Sequence, residues 1–71
     1  MKDLVNGEQV TSMSNIKAIS IAEGFVEPEN EEQYISAWQQ LIDTGLAWSL
    51  QGWFGRTAMH LIESGVCRES R

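Results

Sequence analysis

The sequence predicts an all-α domain made of three main helices, one short connecting helix and an N-terminal arm. Apolar residues recur at three- and four-residue steps, which is the spacing of one helix face. Glycines that suit helix ends recur along the chain. With 42% hydrophobic residues and a mean hydropathy of -0.25, the composition is that of a folded protein. We therefore expect residues 12–71 to form a single helical domain, near the lower size limit for folding without disulfides or metals.

Residues 1–11 are interpreted as an N-terminal arm that is mobile or loosely docked. Asn6-Gly7 lies between two short apolar runs and favours a hairpin turn, but two strands alone are marginally stable in water. The first residues carry an acid and no apolar run of signal-peptide length, and no segment is long enough to span a membrane. We therefore expect a cytoplasmic protein that does not associate with membranes.

Helix ends are indicated by glycines that precede an apolar residue. They occur in the strings Ala22-Glu23-Gly24-Phe25-Val26, Leu41-Ile42-Asp43-Thr44-Gly45-Leu46 and Leu61-Ile62-Glu63-Ser64-Gly65-Val66. Glycine adopts the left-handed conformation after a helix without a Cβ clash, and the next apolar residue is expected to fold back on the last turn. Gln51-Gly52-Trp53 is interpreted as a fourth, shorter instance.

The first helix is predicted to run from Ser12 or Ser14 to Glu23, and its apolar pattern is the least regular of the three. Ile21 falls off the predicted stripe. The side chains expected to share the inward face are Met13, Ile16, Ile19 and Ala22.

The second helix, roughly Glu29 to Thr44, carries the clearest signals. Pro28 suits a first helical position, and Asn30 with Gln33 three residues later resembles a capping box. The apolar face that follows at helical spacing is Tyr34, Ile35, Trp38, Leu41 and Ile42.

Residues 46–51 are interpreted as a packed connector of about one and a half turns. The last helix is predicted to begin near Phe54 or Gly55 and to end at Ser64. Its apolar side is expected to comprise Phe54, Ala58, Leu61 and Ile62.

The formal net charge of -5 has the wrong sign for a broad phosphate-binding surface, so we expect no direct nucleic-acid binding. Five acids form an acidic patch: Glu23, Glu27, Glu29, Glu31 and Glu32. Two interpretations of this patch are open. It is either a solvated turn and helix start favoured by the helix dipole, or a mimic of nucleic-acid phosphates that occupies a basic groove on a partner.

A single cysteine and a single histidine limit the chemistry of the chain. Cys67 can form no intramolecular disulfide and is interpreted as a frayed or packed thiol. His60 has no nucleophile motif beside it and suits a polar helix face, while with Glu63 it makes only part of a metal site. We predict a non-enzymatic protein that needs no metal and no other cofactor.

The segment 51–57 is the most unusual part of the chain, with two aromatic residues between two glycines where a helix begins. Arg56, Thr57 and the free N–H groups of that helix start could hold a carboxylate or phosphate; alternatively, Arg56 pairs with a carboxylate of the same chain. Tryptophan and arginine are enriched at binding hot spots. The candidate partner-binding residues are Trp48, Trp53, Phe54 and Arg56, although the aromatic residues could equally complete a small core.

Three tryptophans are many for a chain of 71 residues, so we expect one of them to remain partly outside the core. Trp38 fits the inward stripe of the second helix. Exposed apolar surface could be covered by a second copy of the chain, and an isologous dimer is the usual arrangement.

The run from Leu41 to Ala58 resembles the core motif of a family of short uncharacterised proteins encoded by bacteriophages and prophages. In that family a DTGLAW-LQG-aromatic-GRTA string precedes a final Leu-Ile-Glu and glycine. Trp53 and His60 depart from the residue types that the family has at those positions, and the N-terminal arm is additional. The resemblance implies a phage-encoded accessory protein that acts in the bacterial cytoplasm.

These observations together predict a module that binds a host or phage protein and modulates host machinery or defence. The acidic mimic is one alternative. A small-ligand or self-assembling structural protein is another.

Overall fold

The computed structural model describes residues 13–69, which form four helices: α1 Asn15–Glu23, α2 Glu31–Thr44, α3 Leu46–Ser49 and α4 Gly52–Glu63. This part of the chain contains no strand, so the prediction of a small all-α fold is confirmed. The predicted arm, residues 1–11, lies outside the described residues. Within 13–69, every helix is too short or too polar to cross a membrane.

Helix α2 is the centre of the fold, and its sides hold different parts of the chain. One side packs against α1, while Trp38 on another side packs on the aromatic residues at the start of α4. The predicted apolar face of α2 is confirmed, because its residues are buried or pack against the core. The buried core comprises Ala18, Ile21, Ala37, Trp38, Leu41, Ile42, Ala47, Phe54, Ala58 and Cys67.

Two adjacent glutamines of α2 bind the two ends of the described chain. Gln40 Nε2 donates to the Met13 carbonyl oxygen at 2.6 Å, and its Oε1 accepts from the Met13 N–H at 3.4 Å. Gln39 Nε2 donates to the Arg68 carbonyl oxygen at 2.8 Å, and its Oε1 accepts from the Arg68 N–H, also at 2.8 Å. Since consecutive helical residues point to different sides, the start of α1 and the C-terminal segment are held on different sides of α2.

The inward face of α1 differs from the predicted one. Ala18 and Ile21 are buried, whereas Ile16 is 77% exposed. Apolar residues occur on several sides of this helix, and the contact with α2 selects the side that carries Ala18, whose small side chain allows close packing. The predicted residues that lie at the edge of the core are Met13, Ile19 and Ala22.

The start of α2 is fixed by its cap. Asn30 Oδ1 accepts from the Gln33 N–H at 2.8 Å, which confirms the predicted capping. Gln33 Oε1 accepts from the Glu29 N–H at 2.8 Å, one residue before the partner expected in a capping box. Because the helix begins only after Asn30, Pro28 lies outside it, and its predicted place at the first helical position was wrong.

The predicted glycine stops are confirmed at Gly24, Gly45 and Gly65, whose φ angles are 88°, 83° and 85°. The apolar residues after the first and last of them behave differently from the prediction. Phe25 and Val66 each donate an N–H bond of 2.9 Å to the preceding helix, yet their side chains are 81% and 44% exposed. The backbone hydrogen bonds close these turns without burying the side chain.

Helix α4 begins at Gly52, earlier than predicted. Gly52 is therefore the first helical residue and not a fourth helix stop. The predicted apolar side is confirmed, since Phe54 and Ala58 are buried and the later positions pack at the core edge. The connector is also confirmed as α3, a single turn that begins directly after Gly45.

Candidate protein-binding surface

Three aromatic rings join α2 to the start of α4. Trp53 stacks on Phe54 with ring centroids 4.0 Å apart and an interplanar angle of 27°. Trp38 meets Trp53 edge-on at 6.4 Å and Phe54 at 5.9 Å. Phe54 is only 2% exposed, so it completes the core and presents no surface to a partner. Trp53 is half-buried at the edge of the same cluster.

The position of Trp53 is fixed by a hydrogen bond as well as by stacking. Its Nε1 donates to Gln51 Oε1 at 3.0 Å. Gln51 immediately precedes α4, but its side chain makes no capping bond to that helix. The Trp53 ring is therefore held in one orientation between the core and the solvent.

Trp48 is the tryptophan that lies largely outside the core, at 49% exposed, as expected for one of the three. Helix α3 places its ring against α4, where a Cβ built on Gly55 would lie 3.5 Å from Trp48 Cε3. With no side chain at Gly55, the ring lies close to the helix backbone. About half of the side chain remains open to a partner.

Met59 and Arg56 extend this exposed region along α4. Met59 is 44% exposed and lies one turn after Gly55, on the same helix face. Arg56 is exposed, and its Nη1 lies 3.3 Å from a Cβ position on Gly52, so the guanidinium folds back towards the start of α4. We call Trp48, Met59 and Arg56 the Trp48 surface. Met59 was not predicted from the sequence, although its four-residue spacing from Gly55 indicates a shared face.

Arg56 has no ion-pair partner among residues 13–69, so the alternative in which it pairs with a carboxylate of the same chain is not seen there. A cation near the positive end of a helix dipole gains nothing from that dipole. The guanidinium therefore remains available to an anionic group. The guanidinium of Arg56 could donate two parallel N–H bonds to one carboxylate of a partner.

The five glutamates of the acidic patch are all exposed. Two of them, Glu31 and Glu32, lie in the first turn of α2, where the helix dipole favours negative charge. This arrangement fits the solvated helix start. The same exposure leaves the carboxylates accessible, as a mimic of phosphates would require.

The remaining candidate residues do not converge on a reactive site within the described part of the chain. His60 and Glu63 are exposed on α4, and residues 13–69 hold no group of three His, Cys, Asp or Glu side chains arranged around a metal position. Cys67 is packed, at 2% exposed, with its Sγ 4.0 Å from the Ile35 carbonyl oxygen. Of the two interpretations of this thiol, the packed one holds.

Burial of Cys67 predicts a specific dependence of stability on pH. Burial, with a smaller contribution from the charge of Asp43, raises the pKa of the Cys67 thiol above its ordinary value of 9.0. The thiol therefore ionises more readily in the unfolded chain. Its contribution to the free energy of unfolding is complete below pH 9.0 and is lost as the pH rises towards the raised pKa.

The variant Cys67→Ala has no thiol and isolates this effect from other groups that titrate in the same range. We expect urea denaturation followed by circular dichroism to show a steeper loss of stability above pH 9.0 in the parent than in the variant. Equal slopes in the two proteins would show that the thiol does not contribute.

The described part of the chain is a small helical domain that exposes Trp48, Met59 and Arg56. Residues 13–70 match the model of a family described as a domain of unknown function (DUF7417). The match covers most of the chain, which therefore belongs to this family. Comparison with curated proteins and with solved structures gave no match. The expected membership of an uncharacterised family is confirmed, and the phage origin remains a prediction.

Proposed function

We propose that this chain is a phage-encoded accessory protein that binds a host or phage protein in the bacterial cytoplasm without catalysing a reaction. The supporting observation is the Trp48 surface, where Trp48 and Met59 are about half exposed beside an Arg56 that has no ion-pair partner within 13–69. Tryptophan, methionine and arginine are enriched at protein interfaces. The resemblance to phage proteins supports a partner from host machinery or defence.

The Trp48 surface is held in place before a partner binds. Trp48 lies against the backbone of Gly55, and the start of α4 is fixed by the stacked rings of Trp53 and Phe54. A rigid aromatic side chain loses little conformational freedom on binding. In this proposal Trp48 is the main anchor and Arg56 selects an anionic group on the partner, while Trp53 fixes the start of α4 through Phe54 and Gln51.

A tagged pull-down from bacterial lysate, at low and high salt and analysed by mass spectrometry, tests this function. We expect the parent to retain a protein in stoichiometric amount and the Trp48→Ala/Arg56→Ala variant to lose it. Ile16→Ala is the control, because Ile16 is exposed on α1 and lies outside the Trp48 surface. Retention by the double variant would contradict the assigned surface. Failure of the parent to retain any protein would contradict the binding function.

An acidic mimic is the second candidate, favoured by the exposure of all five glutamates of the acidic patch. Binding through many carboxylates would weaken steeply as the ionic strength rises. It would also fail when these glutamates are replaced by glutamine. A partner held by the Trp48 surface should instead persist at high salt, so the same pull-down separates the two candidates.

A further inference from the structure

We infer that, when no other protein is bound, a second copy of this chain occupies the Trp48 surface by docking the turn that follows its own α1. The inference rests on the proposed function, because it names a competing occupant of the same surface. Partner binding would then be regulated by self-association.

The Phe25 turn, residues 23–27, displays apolar side chains on a fixed backbone. Phe25 is 81% exposed and Val26 is 39% exposed. Both N–H groups donate to the Ser20 carbonyl oxygen, at 2.9 Å and 3.2 Å, so the turn is closed without help from these side chains. Covering an exposed phenylalanine ring with another surface removes it from water, which lowers the free energy and favours association.

The charges of the two surfaces are complementary. Exposed Glu23 and Glu27 flank the apolar pair of the Phe25 turn. The Trp48 surface offers apolar Trp48 and Met59 beside Arg56, whose guanidinium has no ion-pair partner among the described residues. Docking would bring aromatic rings together and give Arg56 a carboxylate partner. The net charge of -5 repels two copies overall, and exposed Glu63 lies one turn after Met59, so the attraction depends on the contact of Arg56 with Glu23 or Glu27.

The two surfaces lie near opposite ends of α2. Gln40, in the last part of α2, binds Met13 just before α1, so α1 runs back and its final turn lies near the start of α2. Trp48 follows the other end of α2. The 14 residues of this helix span roughly 20 Å, which keeps the Phe25 turn of one chain away from its own Trp48 surface.

Two different surfaces that meet between copies make a heterologous, head-to-tail contact. Such a contact extends into rings or chains, because each added copy leaves one turn and one surface free until a ring closes. This differs from the isologous dimer that is the usual arrangement for small chains.

Sedimentation velocity over a wide range of protein concentration measures the association. For the parent we expect a mass that rises above the 8.0 kDa of one chain. Phe25→Ser and Trp48→Ser should each remain at the mass of one chain. An equimolar mixture of the two should form a dimer and nothing larger, because one intact turn meets one intact surface. Ile16→Ser, equally apolar to polar but outside both surfaces, should associate as the parent does.

Circular dichroism identifies any variant that fails to fold, and a charge exchange then supplies the test. Arg56→Glu should lose association, and mixing it with Glu23→Arg/Glu27→Arg should restore association beyond a dimer, because the turn of each variant is then complementary to the surface of the other. A parent that stays at 8.0 kDa overturns the inference. So does a parent that associates while both mixtures stay monomeric.

Failure of the inference can be told apart from failure of the proposed function. A monomeric parent that still captures a Trp48-dependent partner contradicts the inference alone. A parent that self-associates but captures no partner contradicts the proposed function alone.

Discussion

The Trp38→Ala variant should lose about 3–5 kcal/mol of the free energy of unfolding, a large part of the total for a small domain. Trp38 is 1% exposed and packs on both Trp53 and Phe54. Its removal would leave a cavity where α2 meets α4. Trp38 Nε1 is buried without a hydrogen-bond partner in the described part of the chain, so the side chain stabilises the fold by packing alone.

Trp48→Ala removes the same side chain from a position that is 49% exposed, and it serves as the matched control. We expect this variant to stay within about 1 kcal/mol of the parent. Guanidinium denaturation should be followed by the helical circular dichroism signal, because both substitutions remove a tryptophan that fluorescence would report. Equal losses in the two variants would contradict the assignment of Trp38 to the core and of Trp48 to the surface.

The sequence predicted several helix ends and the apolar faces of α2 and α4, but not the face of α1. Gly45 ends a helix through its left-handed backbone, and Asn30 caps one through a bond to the nearby Gln33 N–H. Both depend on neighbouring residues only, so both can be predicted from the sequence. The face of α1 depends on which side meets α2. Ile16 and Ile21 are both isoleucines at helical positions, and only the packing of two helices decides that one is exposed and the other buried.

At the candidate surface too, the sequence predicted the residue types but not which of them are exposed. The sequence identified Trp48 and Arg56 by residue type, but burial separates Trp48 from Phe54. That separation depends on how α3 turns against α4, and on Gly55, which lets the Trp48 ring approach the helix. The two hydrogen bonds between Gln39 and the Arg68 backbone were also missed, because a polar glutamine adds nothing to the apolar periodicity and its partner lies 29 residues away.

The close packing of α1 on α2 predicts a large loss of stability when the side chain at position 37 is enlarged. Ala37 and Ala18 are both fully buried. Ala37 lies one turn before Gln40, which binds the start of α1, so it belongs to the side of α2 that faces α1. For Ala37→Leu we expect a loss of about 1–3 kcal/mol, because the added methylene groups must strain rotamers or push α1 outwards.

Ser36→Leu adds a similar side chain at the neighbouring, exposed position of α2, and its stability should stay close to that of the parent. Hydrogen exchange locates the damage in Ala37→Leu. Helix α1 has nine residues and is too short to persist without its packing partner, so its amides should lose protection more than those of α4. An Ala37→Leu protein as stable as the parent would mean that the α1–α2 interface has room for a larger side chain. Uniform loss of protection would instead mean that α1 unfolds only together with the rest of the domain.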